Sequence, residues 1–157
     1  MSIILGIDPG IADTGFGVIK ENKGKMICLD YGSIVTKANL SLPDRLDIIH
    51  KRLKIIILKY KPKRVGVEQL FFCNNAKTAL IVGQARGVVL LTCRQNNIPI
   101  VEFTPLQVKQ AVSAYGKASK LQVQKMVKLI LNLNKIPKPD DAADALAVAI
   151  CAINNKI

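Results

Sequence analysis

Apolar residues recur along this chain at two spacings, and the change from one to the other divides it into strands and helices. Residues 3–8 form an Ile-rich run stopped by Pro9-Gly10, the pattern of a short buried strand. Residues 15–19 read as a second strand, Asn22-Lys23-Gly24 supplies turn chemistry, and residues 26–35 return as a third, an antiparallel meander. Pro43 then suits a first helical position after Ser41-Leu42, and Leu46, Ile49, Leu53, Ile56 and Ile57 follow at helical spacing up to Tyr60. Residues 65–68 make a short strand, residues 76–95 a helix after Asn74-Asn75, and residues 98–103 a further strand. Thr104-Pro105 is a cap and first-turn pair for a helix reaching Val112, and Ser119 caps another whose Val123, Met126, Val127, Ile130 and Leu131 share a face. After Pro137-Lys138-Pro139, Asp140 or Asp141 starts an Ala-rich last helix reaching about Ile153. Three strands followed by alternating helices and strands give an α/β fold with a mixed sheet. No linker divides the 157 residues, so one domain spanning 1–157 is expected.

Composition changes this picture through charge. There are 23 Lys and Arg against 11 acids, a net +12. A phosphate backbone or an anionic membrane surface is the partner class this excess suits. Cys28, Cys73, Cys93 and Cys151 stand far apart beside a single histidine, His50, which argues against zinc and against a disulfide framework. They read as small buried hydrophobes in a reducing cytoplasm, and His50 as a surface residue. The start lacks the basic segment of a signal peptide, and the longest uncharged apolar stretch, residues 145–153, is too short to span a bilayer, so a soluble, cytoplasmic chain is expected.

Against that basic background, four acids occupy unusual places. Asp8 and Glu68 end apolar strand runs, while Asp141 and Asp144 open the Ala-rich helix and share one of its faces. Each has a simpler reading. Asp141 could cap the helix, and Asp8 could close a local turn before Pro-Gly. Asp144, between Ala and Leu, fits capping poorly, and Glu68 gains little locally at a strand end. Converging carboxylates repel one another unless a cation neutralises them, and hard oxygen donors suit Mg²⁺ or Mn²⁺. Two such ions can activate water and stabilise the leaving oxygen of a phosphodiester.

Two further signals point to DNA. Between Gln69 and Pro139 there are ten Lys or Arg and one acid, Glu102, where a solvated surface would mix signs. Lys77, Arg86, Lys109, Lys117 and Lys120 are the candidate phosphate contacts. Phe71 and Phe72 follow Glu68 closely in a chain with four Phe, three Tyr and no Trp. Adjacent Phe residues are usually core, but in a loop with Cys73-Asn74-Asn75 they could wedge between or stack on unpaired bases.

Gly-Ile-Asp8-Pro-Gly with Thr14-Gly-Phe-Gly-Val, Glu68-Gln-Leu-Phe71, Gly83-Gln-Ala-Arg-Gly87, Gln107-Val-Lys109, Lys120-Leu-Gln-Val and Asp141-Ala-Ala-Asp144-Ala-Leu-Ala occur in this order. Together they resemble the RuvC family of Holliday-junction resolvases, over about residues 3–151. The resemblance implies a ribonuclease-H-like fold, a five-stranded mixed sheet flanked by helices on both faces. It implies a homodimer that nicks two opposed strands of a four-way DNA junction in recombination and repair, with two Mg²⁺ or Mn²⁺ ions per site, leaving 5′-phosphate and 3′-hydroxyl ends. By position, Asp8, Glu68, Asp141 and Asp144 match the metal-binding catalytic carboxylates. Lys109 and Lys120 match the active-site and DNA-contacting lysines, and Phe71 the aromatic that opens the junction. A branch-migration motor of the RuvA–RuvB type is the implied partner. Asp140 and Asp13 depart from the pattern by adding acids beside the expected site.

Two other classes compete. A junction-binding protein could keep the fold without the chemistry. The Gly-x-Asp-x-Gly and Thr-Gly elements also occur in actin- and sugar-kinase-like ATPases, but those need a second related domain. For self-association, the helix at 76–95 is the expected surface, with Gly83, Ala85 and Gly87 admitting another helix.

Overall fold

The computed structural model describes residues 1–69 and 75–155. Strands β1 (Ser2–Asp8), β2 (Asp13–Asn22) and β3 (Lys25–Val35) form the antiparallel meander. Strand β4 (Arg64–Glu68) lies parallel to β1, and β5 (Ile100–Phe103) parallel to β4, giving a five-stranded mixed sheet ordered β3-β2-β1-β4-β5. The helices are α1 (Leu42–Tyr60), α2 (Ala76–Gln95), α3 (Pro105–Ser113), α4 (Lys120–Ile130) and α5 (Asp140–Asn154). Local chemistry sets their starts. Ser41 and Asn75 accept from the free N–H groups of α1 and α2, while Thr104 with Gln107 and Ser119 with Gln122 close capping boxes on α3 and α4.

Strand alternation splits the core in two. Leu5, Ile7, Val18, Val65 and Val67 face α1 and α2, packing on Ile49, Leu53, Ile57, Ala85, Val89 and Cys93. Ile4, Ile19 and Phe103 point the other way, toward α5, with Val108, Val112, Val123 and Val127 of α3 and α4 in the same core. Helices therefore cover both faces, as the ribonuclease-H-like reading requires.

Three expectations change. His50 is half-buried between α1 and α2, its Nδ1 2.8 Å from Thr92 Oγ1, while Thr92 donates to Val88 O. It is a helix-bridging residue because the stretch that looked polar faces a neighbouring helix. Strand β5 begins at Ile100, later than expected, because Ile98 N–H still bonds Cys93 O at the end of α2 and Pro99 has no N–H for the ladder. Ala85 is fully buried in its own core, so it cannot serve a helix from outside, whereas Gly87 faces open space. Cys93 and Cys151 are buried as expected and Cys28 is half-buried; Cys73 lies outside the described residues. Among the described residues, α2 alone is long and apolar enough to cross a membrane by length and composition. Its inner face packs on α1, and Arg86 on it is ion-paired to Glu102 of β5.

Candidate metal centre and DNA-facing cleft

Register puts the first two acids side by side. Ile7 pairs with Val67 in the parallel β1–β4 ladder, so Asp8 and Glu68 follow as neighbours at the carboxyl ends of adjacent strands. Ile7 and Val67 face α1 and α2, so by alternation Asp8 and Glu68 face α5.

Glycine and alanine bring the other two acids down onto them. A Cβ on Gly6 would collide with the backbone of Ala145 and Ala149, and one on Gly15 with the backbone carbonyl of Asp141. One on Gly66 would stand 3.0 Å from the Ala152 Cβ. Side-chain-free strand positions thus meet the alanine face of α5, and the helix rides unusually close to the sheet. Asp141 and Asp144, one turn apart, hang from the low end of this helix over Asp8.

The result is a trio: single carboxylate oxygens of Asp8, Asp141 and Asp144 all lie within 4.8 Å of one another. Glu68 stands just outside it, hydrogen-bonded to Asp8. Burial, then the charges of Glu68, Asp144 and Asp141, pushes the Asp8 carboxyl up to about 8. Burial followed by Asp144 raises Glu68, and burial followed by Asp13 and Asp144 raises Asp141. Asp8 and Glu68 thus form a hydrogen-bonded carboxyl pair that resists full ionisation. Acids gathered where they resist ionising supply the donors that a cation site requires.

The simpler readings of these acids fail. Pro139 is the N-cap of α5, without any side-chain cap hydrogen bond, so neither Asp140 nor Asp141 caps the helix. The turn after β1 is closed by Thr14, whose hydroxyl donates to Gly10 O at 2.6 Å. Asp140 is turned away from the trio. Its hydrogen bond with Lys138, at 2.7 Å, holds its carboxyl below the usual range, and Lys120 lies 3.9 Å away.

A cleft of about 230 Å³ adjoins the acids, lined by Glu68, Pro105, Val108, Lys109, Lys120, Val123, Asp144 and Ala147. Lys120 Nζ sits 3.1 Å from Asp144 Oδ2. Its partial burial disfavours the charge, but Asp144, and behind it Asp140 and Asp141, more than offset this and raise its pKa. The cleft therefore brings the carboxylates of Glu68 and Asp144 together with the ammonium groups of Lys109 and Lys120, the chemistry needed to hold a phosphodiester against a cation.

The remaining candidates are dispersed. Lys117 is exposed on the loop joining α3 to α4, and Lys77 is exposed in the first turn of α2. Arg86 is half-buried and engaged with Glu102. Phe71 and Phe72 lie outside the described residues. Two neighbours were not among the expected site residues, although Asp13 stood out as an added acid. Asp13 raises Asp141 and accepts from Ser33 Oγ at 3.0 Å. Gln124 is buried on α4 and bonds Asp140. Asp13 carried a signal, an acid beside the Asp8 motif, whereas a glutamine among helical polar positions carries none.

A family model described as Crossover junction endodeoxyribonuclease RuvC matches residues 4–152. A protein of that name from Halothermothrix orenii is 56% identical over 153 residues, covering 98% of this chain and 93% of the relative. The solved structure of T. thermophilus RuvC in complex with Holliday junction substrate superposes with a TM-score of 0.91 at 35% identity, covering 96% of this chain and 92% of that one. The yeast mitochondrial Holliday junction resolvase Ydc2 matches at a TM-score of 0.67 and 18% identity, covering 94% of this chain and 76% of its own, a likeness of fold.

Proposed function

The chain belongs to the crossover junction endodeoxyribonuclease RuvC family and is a divalent-metal-dependent nuclease of four-way DNA junctions, and we propose that Asp8, Glu68, Asp141 and Asp144 hold its metal. The observation that carries this reading is the carboxylate trio, within 4.8 Å, on a chain of net charge +12. The donors fit Mg²⁺ or Mn²⁺: all are hard oxygens, and a bound cation would displace the proton of the raised Asp8 carboxyl into solvent. Four carboxylates suit two ions rather than one. When bound, the ions supply an activated water on one side of the scissile phosphate and neutralise charge on the other.

The protein's own groups do the rest. Lys109 and Lys120, which line the same cleft as the acids, bind non-bridging phosphate oxygens. Lys120, beside Asp144, also sits where charge builds up as the phosphate is attacked. Lys77 and Lys117 extend the basic surface along the arms, and Phe71 and Phe72 are proposed to engage bases near the cut. Arg86 acts first through its pair with Glu102, tying α2 to β5. The products are a pair of nicks with 5′-phosphate and 3′-hydroxyl ends, made by a single domain of 1–157 acting on cytoplasmic DNA. Family membership favours this nuclease over an inactive junction binder or an ATPase. A branch-migration motor that delivers junctions is the proposed macromolecular partner.

Cutting two opposed strands requires two sites, so we infer a homodimer through α2. Leu80, Gln84, Gly87 and Leu91 form one exposed stripe on it at four-, three- and four-residue spacing, with Leu80 70% and Leu91 57% exposed. A Leu80→Glu, Leu91→Glu double variant is expected to sediment as a monomer and to separate the two nicks in time. An unchanged dimer would move the interface elsewhere. The main reading is tested with a synthetic four-way junction and Mg²⁺. Paired symmetric nicks are expected on the junction and none on linear duplex, and equal cutting of both would contradict it.

A further inference from the structure

Among the described aromatic residues Phe16, Tyr31, Tyr60, Phe103 and Tyr115, only Tyr115 is exposed, at 61%. Its loop is pinned at several points. Ala114, at φ 54°, turns the chain sharply after α3. The Ser113 hydroxyl shares its proton between Lys109 O at 2.6 Å and Tyr115 O at 2.8 Å, and accepts from Tyr115 N–H at 3.3 Å. Ala118 N–H donates to Tyr115 O at 3.2 Å, and the Ala118 side chain is buried in the core beneath. A Cβ on Gly116 would come within 2.5 Å of Leu106 Cδ1, so Leu106 packs directly over the turn. A loop anchored this way holds its aromatic ring out toward solvent rather than letting it fold inward.

The surroundings show what that ring meets. The loop joins α3, which carries Lys109, to α4, which begins with Lys120, and both lysines line the acidic cleft. Lys117 is exposed two residues beyond the ring. Lys120 follows Tyr115 by five positions, a reach of at most about 18 Å, shortened further by the turn. An exposed ring fixed between phosphate-binding lysines resembles the stacking platforms of single-strand-binding surfaces, where aromatic faces take bases and cations track the backbone. Tyrosine also loses little freedom on contact, having two side-chain torsions.

We propose that Tyr115 stacks on a nucleobase freed at the branch point of the junction, adding a structure-reading contact to the catalytic cleft. At the branch point helical stacking is already interrupted, so freeing a base there costs least. Intact linear duplex offers no such base. This proposal rests on the junction-nuclease reading above.

The test compares wild type with Tyr115→Ala and Tyr115→Phe on a four-way junction carrying 2-aminopurine beside the branch point, in EDTA so that nothing is cut. Tyr115→Ala is expected to bind the junction roughly 10-fold more weakly, to lose the fluorescence change, and to bind linear duplex within about twofold of wild type, as a contact made only to freed bases requires. Tyr115→Phe should keep wild-type binding and signal. Wild-type junction affinity in Tyr115→Ala, or equal losses on junction and duplex, would overturn the proposal. Wild-type cleavage of the same junction in Mg²⁺ is run alongside. If wild type cuts normally and Tyr115→Ala binds normally, only this contact falls; if wild type neither binds nor cuts, the nuclease reading falls with it.

Discussion

The two faces of the sheet are built on opposite principles. Toward α1 and α2, branched side chains such as Leu5, Ile7, Val18, Val65 and Val67 interdigitate with Ile49, Leu53 and Val89, burying much apolar area per residue. Toward α5, glycines at 6, 15, 17 and 66 meet a helix whose buried face is mostly alanine. That face buries less area for each contact, and so contributes less stability, but it shortens the distance between backbone and backbone. The difference teaches where precision is needed. One face holds the molecule together, and the other delivers Asp141 and Asp144 to Asp8.

The sharpest break in that symmetry comes from Asp8→Asn. Cleavage should fall by about 10³-fold or more, as when the strongest electrostatic stabilisers of a transition state are removed, while junction binding measured by gel shift persists. Next comes a matched pair. Gly15→Ala pushes on the Asp141 carbonyl, an overpacking change costing about 1–3 kcal/mol. Val89→Ala, on the opposite face, leaves a cavity costing about 2 kcal/mol. Thermal melts should therefore show similar losses. Nicking assays should not: Gly15→Ala should need much more Mg²⁺ and cut about 10²-fold more slowly, as misplaced catalytic groups do, with Val89→Ala near wild type. Parallel activity losses would mean that the close approach of α5 has no special role.

Lys120→Ala should reduce cleavage roughly 10²-fold, the scale of one electrostatic contact in the reaction, and junction affinity only a few-fold. Equal losses would make it a simple backbone contact. The smallest effect is on stability against pH. The Asp8 carboxyl is raised to about 8 in the folded protein, so folding favours its protonated form. In EDTA the melting temperature should fall as pH rises from about 4, the ordinary carboxylate range, toward 8, where the unfolded chain has released a proton that the folded chain still binds. Mg²⁺ should narrow the gap at the alkaline end, and Asp8→Asn should flatten the slope without abolishing it, because Glu68 and Asp141 are raised too. A metal-free melting temperature independent of pH over that range would argue against a crowded acidic site.

The four acids were legible in the sequence because each broke a local rule. Glu68 ended a buried strand, Asp144 interrupted an apolar helix, and both stood in a basic chain. Helix starts were legible for a similar reason, since Ser41, Asn75, Thr104 and Ser119 carry their capping chemistry within three residues. What stayed hidden depends on pairing between distant segments. Gly6 and Gly17 look like weak points in strands until register and face are known, and only then do they explain the position of α5. Helix α2 is apolar on several sides, so its sequence did not reveal that Ala85 points inward and Gly87 outward. His50 and Gln124 are polar residues whose partners, Thr92 and Asp140, lie on other helices, and no local pattern marks such pairs.

Close packing of α5 on the sheet, in the proposed reading, makes the divalent-metal site between Asp8, Asp141, Asp144 and Glu68. Anomalous diffraction from a crystal soaked in Mn²⁺ tests it most directly. A manganese peak should lie among the oxygens of those four carboxylates in wild type and should weaken or vanish in Asp8→Asn. A peak elsewhere on the surface, or none among these carboxylates at saturating Mn²⁺, would contradict the account.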